Sequence, residues 1–256
     1  MIMKPYSTTI VEIREETPSV KSFVFDLSFD FTPGQYVMVW IRGVDEVPMS
    51  LSDCNTITVQ RVGDATSALF ELAPGDTVGI RGPYGNGFEI SNHDSITIVS
   101  GGVGAAPLAP LAEAAHEMGC DVMTLLGART CAELLFQRRF ENSGAVMIAT
   151  DDGSAGLHGF VTDMLDESAG CNIYSCGPEP MMYALLQRLD GVGFDLDHSQ
   201  FSLHRYIKCG LGVCGACCID PSGERACVDG PVFHGKGLID SEFGRYRRGA
   251  DGVRVV

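Results

Sequence analysis

Long hydrophobic runs are missing from this chain of 256 residues. Its longest stretch without a charged side chain, residues 95–112, holds Gly101, Gly102, Gly104, Pro107 and Pro110, which would break a membrane-spanning helix. The opening MIMKPYSTTIVEIREE has neither the apolar core nor the cleavage site of a secretory leader, so the sequence predicts a cytoplasmic protein. Positive charge is scarce: 18 Lys and Arg stand against 33 Asp and Glu, and the net of -15 argues against nucleic acid, whose phosphates it would repel. Internal repeats and low-complexity linkers are absent. His116, His158, His198, His204 and His234 are scattered, so no metal triad is visible, and no Ser, His, Asp set can be argued.

What remains falls into three regions. Residues 1–93 carry short β-rich runs, SFVFDLSF, YVMVWI, TITVQRV and TVGIRG, punctuated by Pro33-Gly34 and Pro74-Gly75-Asp76, which predict an antiparallel β-barrel or sandwich. Residues 94–198 alternate strand and helix: SITIVS, a glycine turn, a helix over 108–118, DVMTLLGA, a second helix, VMIAT and CNIYSCG. That alternation predicts a doubly wound α/β domain with a parallel sheet. Residues 199–256 dissolve into glycine and cysteine. From Arg205 onward this end holds eight basic and six acidic side chains, whereas the first 204 residues hold ten and twenty-seven. The tail, with Arg245, Tyr246, Arg247 and Arg248, reads either as a docking surface or as a solvated end.

Cysteine is plentiful, with ten residues. In a reducing compartment these are packed thiols or metal ligands. Cys209, Cys214 and Cys217 follow the pattern C-x4-C-x2-C, and Cys227 comes after nine intervening residues. The first part is the plant-type spacing for a [2Fe-2S] cluster, with a closer fourth ligand. Gly210, Gly212 and Gly215 suit a backbone that turns tightly and brings N–H groups toward sulfide. A structural zinc site is the alternative, although zinc pairs more often open with C-x2-C. Adjacent residues rarely point the same way, so the spacing selects Cys217 as ligand and leaves Cys218 as a packed side chain. Cys54, Cys120, Cys131 and Cys171 have no partner spacing and read as packed.

Around Gly101 the run VSGGVGAAPLAPLAEAA sets Gly102 and Gly104 between a strand and a helix. Glycine permits close backbone approach and a helix N-terminus favours a pyrophosphate, but Pro107 stands where the usual fingerprint has its third glycine. Structural turn and nucleotide site both remain open on this pattern alone.

The order of PGQY (33–36), PMS (48–50), GPYGNGF (82–88), GGVGAAP (101–107) and CGPEPMM (176–182) resembles the ferredoxin-NADP reductase superfamily. With TDDGSAGLHGFVT and a cysteine cluster ending ACVDGPVF, the chain is most similar to the electron-transfer subunits of NAD-dependent dihydroorotate dehydrogenases, over essentially its whole length. The resemblance implies that Pro48, Met49, Ser50 and Leu51 lie along a flavin. It implies that residues 63–69 hold the FAD pyrophosphate, with Gly63 in the turn and Thr66 and Ser67 as donors. Gly102, Gly104 and Pro107 would form the nicotinamide-nucleotide turn, and Cys176, Gly177 and Pro178 the strand end near the nicotinamide. Cys209, Cys214, Cys217 and Cys227 would be the cluster ligands. One departure stands out: the family motif begins with arginine before the proline, and here Val47 occupies that place. Arg61 or Arg81 could substitute, or either could be a plain strand residue.

The implied route runs from NADH through FAD and the [2Fe-2S] cluster to a flavin in a separate dihydroorotate dehydrogenase catalytic subunit. A nicotinamide surrenders a hydride and a cluster takes single electrons, so a flavin is needed between them. Glu133, opposing Arg129 past the second strand of the nucleotide domain, favours NADH over NADPH. Other readings are a reductase subunit of a hydrogenase, a sulfide-linked enzyme or a ferredoxin-dependent transhydrogenase, and, from a different class, a non-catalytic zinc module.

Overall fold

Runs rich in β-branched and aromatic residues form the first layer of a computed structural model that describes residues 5–90, 95–165, 172–250 and 252–255. The strands are β1 (Tyr6–Thr17), β2 (Val20–Phe25), β3 (Tyr36–Ile41), β4 (Asp45–Asp53), β5 (Thr56–Gln60) and β6 (Thr77–Tyr84), with helix α1 (Asp64–Phe70) before the last. They close an antiparallel barrel in the order β1-β2-β5-β4-β3-β6. Ile10, Phe23, Val37, Val39, Leu51, Ile57 and Ile80 fill it. Closure leaves no free sheet edge.

The second layer follows as β7 (Ser95–Gly101), α2 (Ala105–Glu117), β8 (Asp121–Ala128), α3 (Gln137–Ser143), β9 (Ala145–Thr150), β10 (Leu157–His158), β11 (Asn172–Cys176), α4 (Glu179–Gly191) and β12 (Ser199–Ser202). Helix α2 starts earlier than the sequence predicts. Pro107 falls in its first turn, where backbone N–H groups have no acceptor within the helix, and Pro110 is accommodated inside a fully buried, alanine-rich face.

The Cys-rich stretch adds β13 (Cys218–Ile219), β14 (Glu224–Arg225), β15 (Val232–His234), α5 (Gly235–Leu238), β16 (Arg247–Arg248) and β17 (Arg254–Val255). The large sheet runs β10-β9-β8-β7-β11-β12-β15, parallel except for β15. Helices α2 and α3 bury one face and α4 the other. Because β12 and β15 both belong to this sheet, the cysteines sit in a lobe carried between two of its strands. The boundary expected at 93/94 lies outside the described residues.

One apolar core joins the three regions. Tyr36 and Met38 of the barrel, Val99 and Phe201 of the sheet, and Cys217 and Cys227 of the lobe are all buried within it. The lobe is therefore set against the barrel by packing, and its position relative to β3 is part of the fold.

Candidate functional site

In a doubly wound sheet, ligands bind where the strand order reverses, at the carboxyl ends of the strands. Here that point lies between β7 and β11. The turn after β7 and the end of β11 meet there in direct contact. A side chain on Gly104 would collide with the Cys176 carbonyl, one on Gly101 with Met181 and Pro178, and one on Gly177 with Gly101. Glycine at 104 is thus required by the approach of two backbones, Gly177 lies tightly against the Gly101 backbone, Gly101 is crowded by the Met181 and Pro178 side chains, and Gly102 adopts a φ of 54°. The turn with Gly102 and Gly104 is brought against Cys176, Gly177 and Pro178, with Pro107 following in the first turn of α2. Burial pushes the Cys176 thiol up to about 12, although the Ser202 hydroxyl and the Gly177 N–H oppose this. It is a neutral thiol at physiological pH.

Pro48, Met49, Ser50 and Leu51 lie on β4, with Pro48 opposite Met38 and Ser50 opposite Tyr36. Val47 and Met49 pack against the barrel core and Leu51 is inside it. Gly63 caps α1 in an extended conformation. The Thr66 hydroxyl accepts from the Val62 and Gly63 N–H groups and donates to the Gly63 carbonyl, each at 2.9 Å, so it closes its own helix terminus. Ser67 is half-buried beside it. Arg61 is exposed just before this turn. Arg81 is 7% exposed and grips Glu46 through two bonds of 2.6 Å. A cavity of about 570 Å³ lies elsewhere, between the barrel and α3, lined by Arg14, Ser52, Phe136 and Arg138 among others. It does not touch these motifs.

In the lobe, Gly210, Gly212 and Gly215 all have positive φ, which wraps the backbone round the cysteines. Among the described residues no three His, Cys, Asp or Glu side chains are arranged to hold a single ion. The Cys209 sulfur feels that of Cys214, and the Cys227 sulfur feels those of Cys217 and Cys209, so the four are gathered in one lobe. Its two ends differ electrostatically. Burial opposes ionisation of Cys209, but the N–H groups of Leu211, Cys214 and Val213 overcome it and bring the thiol down to about 6. Burial and the Cys217 sulfur push Cys227 up to about 12. Cys214 is exposed beside Val213, which is 80% exposed, whereas Cys217 and Cys227 are buried. Cys218 is half-buried on β13 opposite Arg225, and burial and the neighbouring Cys217 raise its thiol.

Residues 204–239 match the family model for the iron-sulfur cluster binding domain of dihydroorotate dehydrogenase B. The chain is 57% identical over 98% of its length, and 99% of the relative's, to a probable dihydroorotate dehydrogenase B (NAD(+)) electron transfer subunit of Methanocella arvoryzae. A protein of Methanocaldococcus jannaschii bearing the same description is 45% identical, covering 98% of both chains. The chain belongs to the family of dihydroorotate dehydrogenase B electron-transfer subunits. Among solved structures it is similar to an NADH-dependent reduced ferredoxin-NADP oxidoreductase studied for flavin-based electron bifurcation, with a TM-score of 0.81, 32% identity and coverage of 90% and 88%. A ferredoxin reductase of carbazole 1,9a-dioxygenase shares the fold at a TM-score of 0.69 and 23% identity, covering 78% and 68% of the two chains.

The fold of this family explains two departures from the sequence reading. Cys54 and Cys131 are exposed, not packed: Cys54 sits in the β4–β5 hairpin and Cys131 opens a 3-10 turn after β8, and both turns face solvent. Cys120 is buried as expected, and Cys171 lies outside the described residues. Sequence reasoning also passed over Tyr36 and Arg81 as contacts of the lobe, and Glu46 as the partner of Arg81. Tyr36 closes the PGQY motif, which was the one available signal.

Proposed function

We propose that this chain carries electrons between NADH and the flavin of a separate dihydroorotate dehydrogenase catalytic subunit, in the cytoplasm, as part of pyrimidine formation. FAD and a [2Fe-2S] cluster, when bound, supply the conversion of a hydride's two electrons into single ones. The observation that carries this reading is that Cys209, Cys214, Cys217 and Cys227 are gathered in one glycine-turned lobe, within residues 204–239 that match the iron-sulfur cluster binding domain.

The residues divide the work by place. Gly102, Gly104 and Pro107 seat the nicotinamide nucleotide at the N-terminus of α2, where the backbone dipoles favour a pyrophosphate. Cys176, Gly177 and Pro178 wall the reacting end, and the neutral Cys176 thiol packs there without acting as a nucleophile. Pro48, Met49, Ser50 and Leu51 hold the flavin edge. Gly63 and Ser67, with the backbone at Thr66, meet the FAD pyrophosphate, and the exposed Arg61 supplies the charge that Val47 cannot. Cys209, Cys214, Cys217 and Cys227 ligate the cluster, with the exposed Cys214 end toward the partner.

Anaerobic purification, iron and labile-sulfide assay and chromatography of released flavin test the assignment. Cys214→Ser should lose the cluster and Cys218→Ser should keep it; the reverse result would overturn the register. FMN in place of FAD, or zinc in place of iron, would sink the reading. Co-expression with a dihydroorotate dehydrogenase catalytic subunit should yield a complex with NADH-linked orotate turnover. Transfer to ferredoxin alone would favour the transhydrogenase reading.

A further inference from the structure

We propose that Arg81, poised by Glu46, is a positioning residue of the iron-sulfur site: it clamps the Cys209 end of the lobe to the flavin strand and its balanced charge sets how readily the cluster takes an electron. The proposal rests on the assignment of Cys209 as a cluster ligand.

Arg81 projects from β6, and its side chain is almost wholly buried. Its guanidinium makes a two-pronged contact with Glu46 on β4, at 2.6 Å for each bond, and donates to the Cys209 carbonyl at 3.2 Å. The ring of Tyr84 lies against it, 5.6 Å from ring centroid to guanidinium carbon. Removing a guanidinium from water is costly, so one is retained in such a place only where its donors are matched. The barrel itself does not need it: the barrel core is apolar, and β6 pairs with β1 and β3 through its backbone. The planar fork, by contrast, matches a carboxylate and a carbonyl in two different elements, which a lysine could not do.

Geometry ties both ends of the clamp to the electron route. Glu46 stands two residues before Pro48 on β4, and Met38 lies opposite both Pro48 and Arg81. A side chain on Gly210, next to Cys209, would meet Met38. The clamp therefore fixes the distance between the flavin strand and the first cysteine of the lobe. It also places a paired charge beside that cysteine. Charge and hydrogen bonding near the sulfurs are what tune a cluster's potential. In the intact pair the positive and negative charges largely offset one another.

Breaking the pair from either side gives opposite electrostatics and the same loss of a clamp. Holoprotein variants Arg81→Met, Arg81→Lys, Glu46→Gln and the double Arg81→Met/Glu46→Gln should be compared by EPR-monitored redox titration, with iron and sulfide measured on each. Arg81→Met leaves Glu46 unbalanced and should make the cluster harder to reduce; Glu46→Gln should make it easier. We expect each to shift the reduction equilibrium roughly threefold to tenfold, which is about 30 to 59 mV for one electron at about 59 mV per tenfold. The double variant and Arg81→Lys should fall closer to the parent. A loosened loop alone would move the single variants in the same direction, and that result, or unchanged potentials, would overturn the proposal. If Arg81→Met cannot hold iron, Glu46→Gln decides: it must shift positive. Failure of the underlying cluster assignment would look different, because the parent protein would then lack iron and sulfide.

Discussion

The Tyr36 hydroxyl donates to the Cys227 carbonyl at 3.0 Å, across 191 positions of sequence. Tyr36 also faces Ser50 in the β3–β4 pairing, so one residue touches both the proposed flavin strand and the buried end of the cysteine lobe. Burial pushes its phenol well above the ordinary range, and it stays a donor at every pH the protein meets. Tyr36→Phe should leave the Cys227 carbonyl without its partner and cost about 1 to 3 kcal/mol, read from denaturant unfolding. Iron content should be unchanged, because no ligand is touched. Cluster loss without destabilisation would contradict this account.

Cys176 gives a prediction with a definite pH sign. Its thiol is raised from 9.0 to about 12 by burial, so thiolate, the reactive form, is absent near neutrality. Iodoacetamide at pH 8 should label the exposed Cys54 and Cys131 in the native protein and leave Cys176 unmodified, as peptide mapping would read. The protonated form is favoured by the fold. Its contribution to stability is therefore complete below the unfolded value of 9.0 and lost as pH climbs toward about 12. Rapid labelling of this half-buried residue at pH 8 would contradict a thiol held in its protonated form.

Arg205 holds two carboxylates at once. It bonds Glu242 at 2.9 Å and Glu179 at 2.8 and 3.2 Å, with its side chain 2% exposed. Glu179 opens α4 directly after the Cys176–Pro178 turn, and Glu242 begins the tail. Removing the cation would leave two acids facing each other away from water. Arg205→Met should cost about 3 to 5 kcal/mol, and Arg205→Lys less, measured by thermal or denaturant unfolding. A neutral Arg205→Met would mean the carboxylates find other partners.

How much of this was legible beforehand depended on sequence distance. The spacing of Cys209, Cys214 and Cys217 is local, so a tightly turned cysteine lobe could be read directly. The glycine turn at 102–104 was legible as a turn. That it needs glycine because it abuts Cys176 is a tertiary fact. Thr66 was visible as a hydroxyl near the start of a helix, but its capture by the N–H groups of Val62 and Gly63 was not, because a capping side chain and a ligand donor look the same in sequence. The Arg81–Glu46, Tyr36–Cys227 and Arg205–Glu179 contacts join separate elements, and only barrel closure and sheet order bring them together.

Nucleotide preference can be tested at the end of β8. Arg129, which alone would attract a 2'-phosphate, pairs with Glu133 at 3.1 Å. Its charge is thereby matched, and a second anion would have to displace Glu133. Glu133→Gln should lower the KM for NADPH relative to NADH severalfold, with little change in the limiting rate of flavin reduction. An unchanged ratio would place the ribose elsewhere.

Asp220 decides the fate of the tail. It follows β13 in the cysteine lobe and accepts from Tyr246 at 2.8 Å and twice from Arg248, at 3.0 and 2.8 Å. Arg254 approaches it at 3.7 Å and lies over the Tyr246 ring, 4.4 Å from its centroid. The tail is thus folded back on the lobe, with Arg245 and Arg247 left exposed. Hydrogen bonds from Tyr246 and Arg248 hold the Asp220 carboxyl below its ordinary 3.8. The contact is therefore present above that value and lost only as pH falls through the lower folded one. Asp220→Asn should free the tail at neutral pH, so trypsin should cut after Arg247 and Arg248 faster than in the parent, while iron content holds. The parent should become equally sensitive only in strong acid, where a protease active at low pH serves as the probe. If the ordered tail presents Arg245 and Arg247 to the catalytic subunit, the same variant should also co-purify with it less well. Unchanged proteolysis would mean that Asp220 does not anchor the tail. Faster proteolysis with full complex formation would place the partner surface on the Cys214 and Val213 side of the lobe instead.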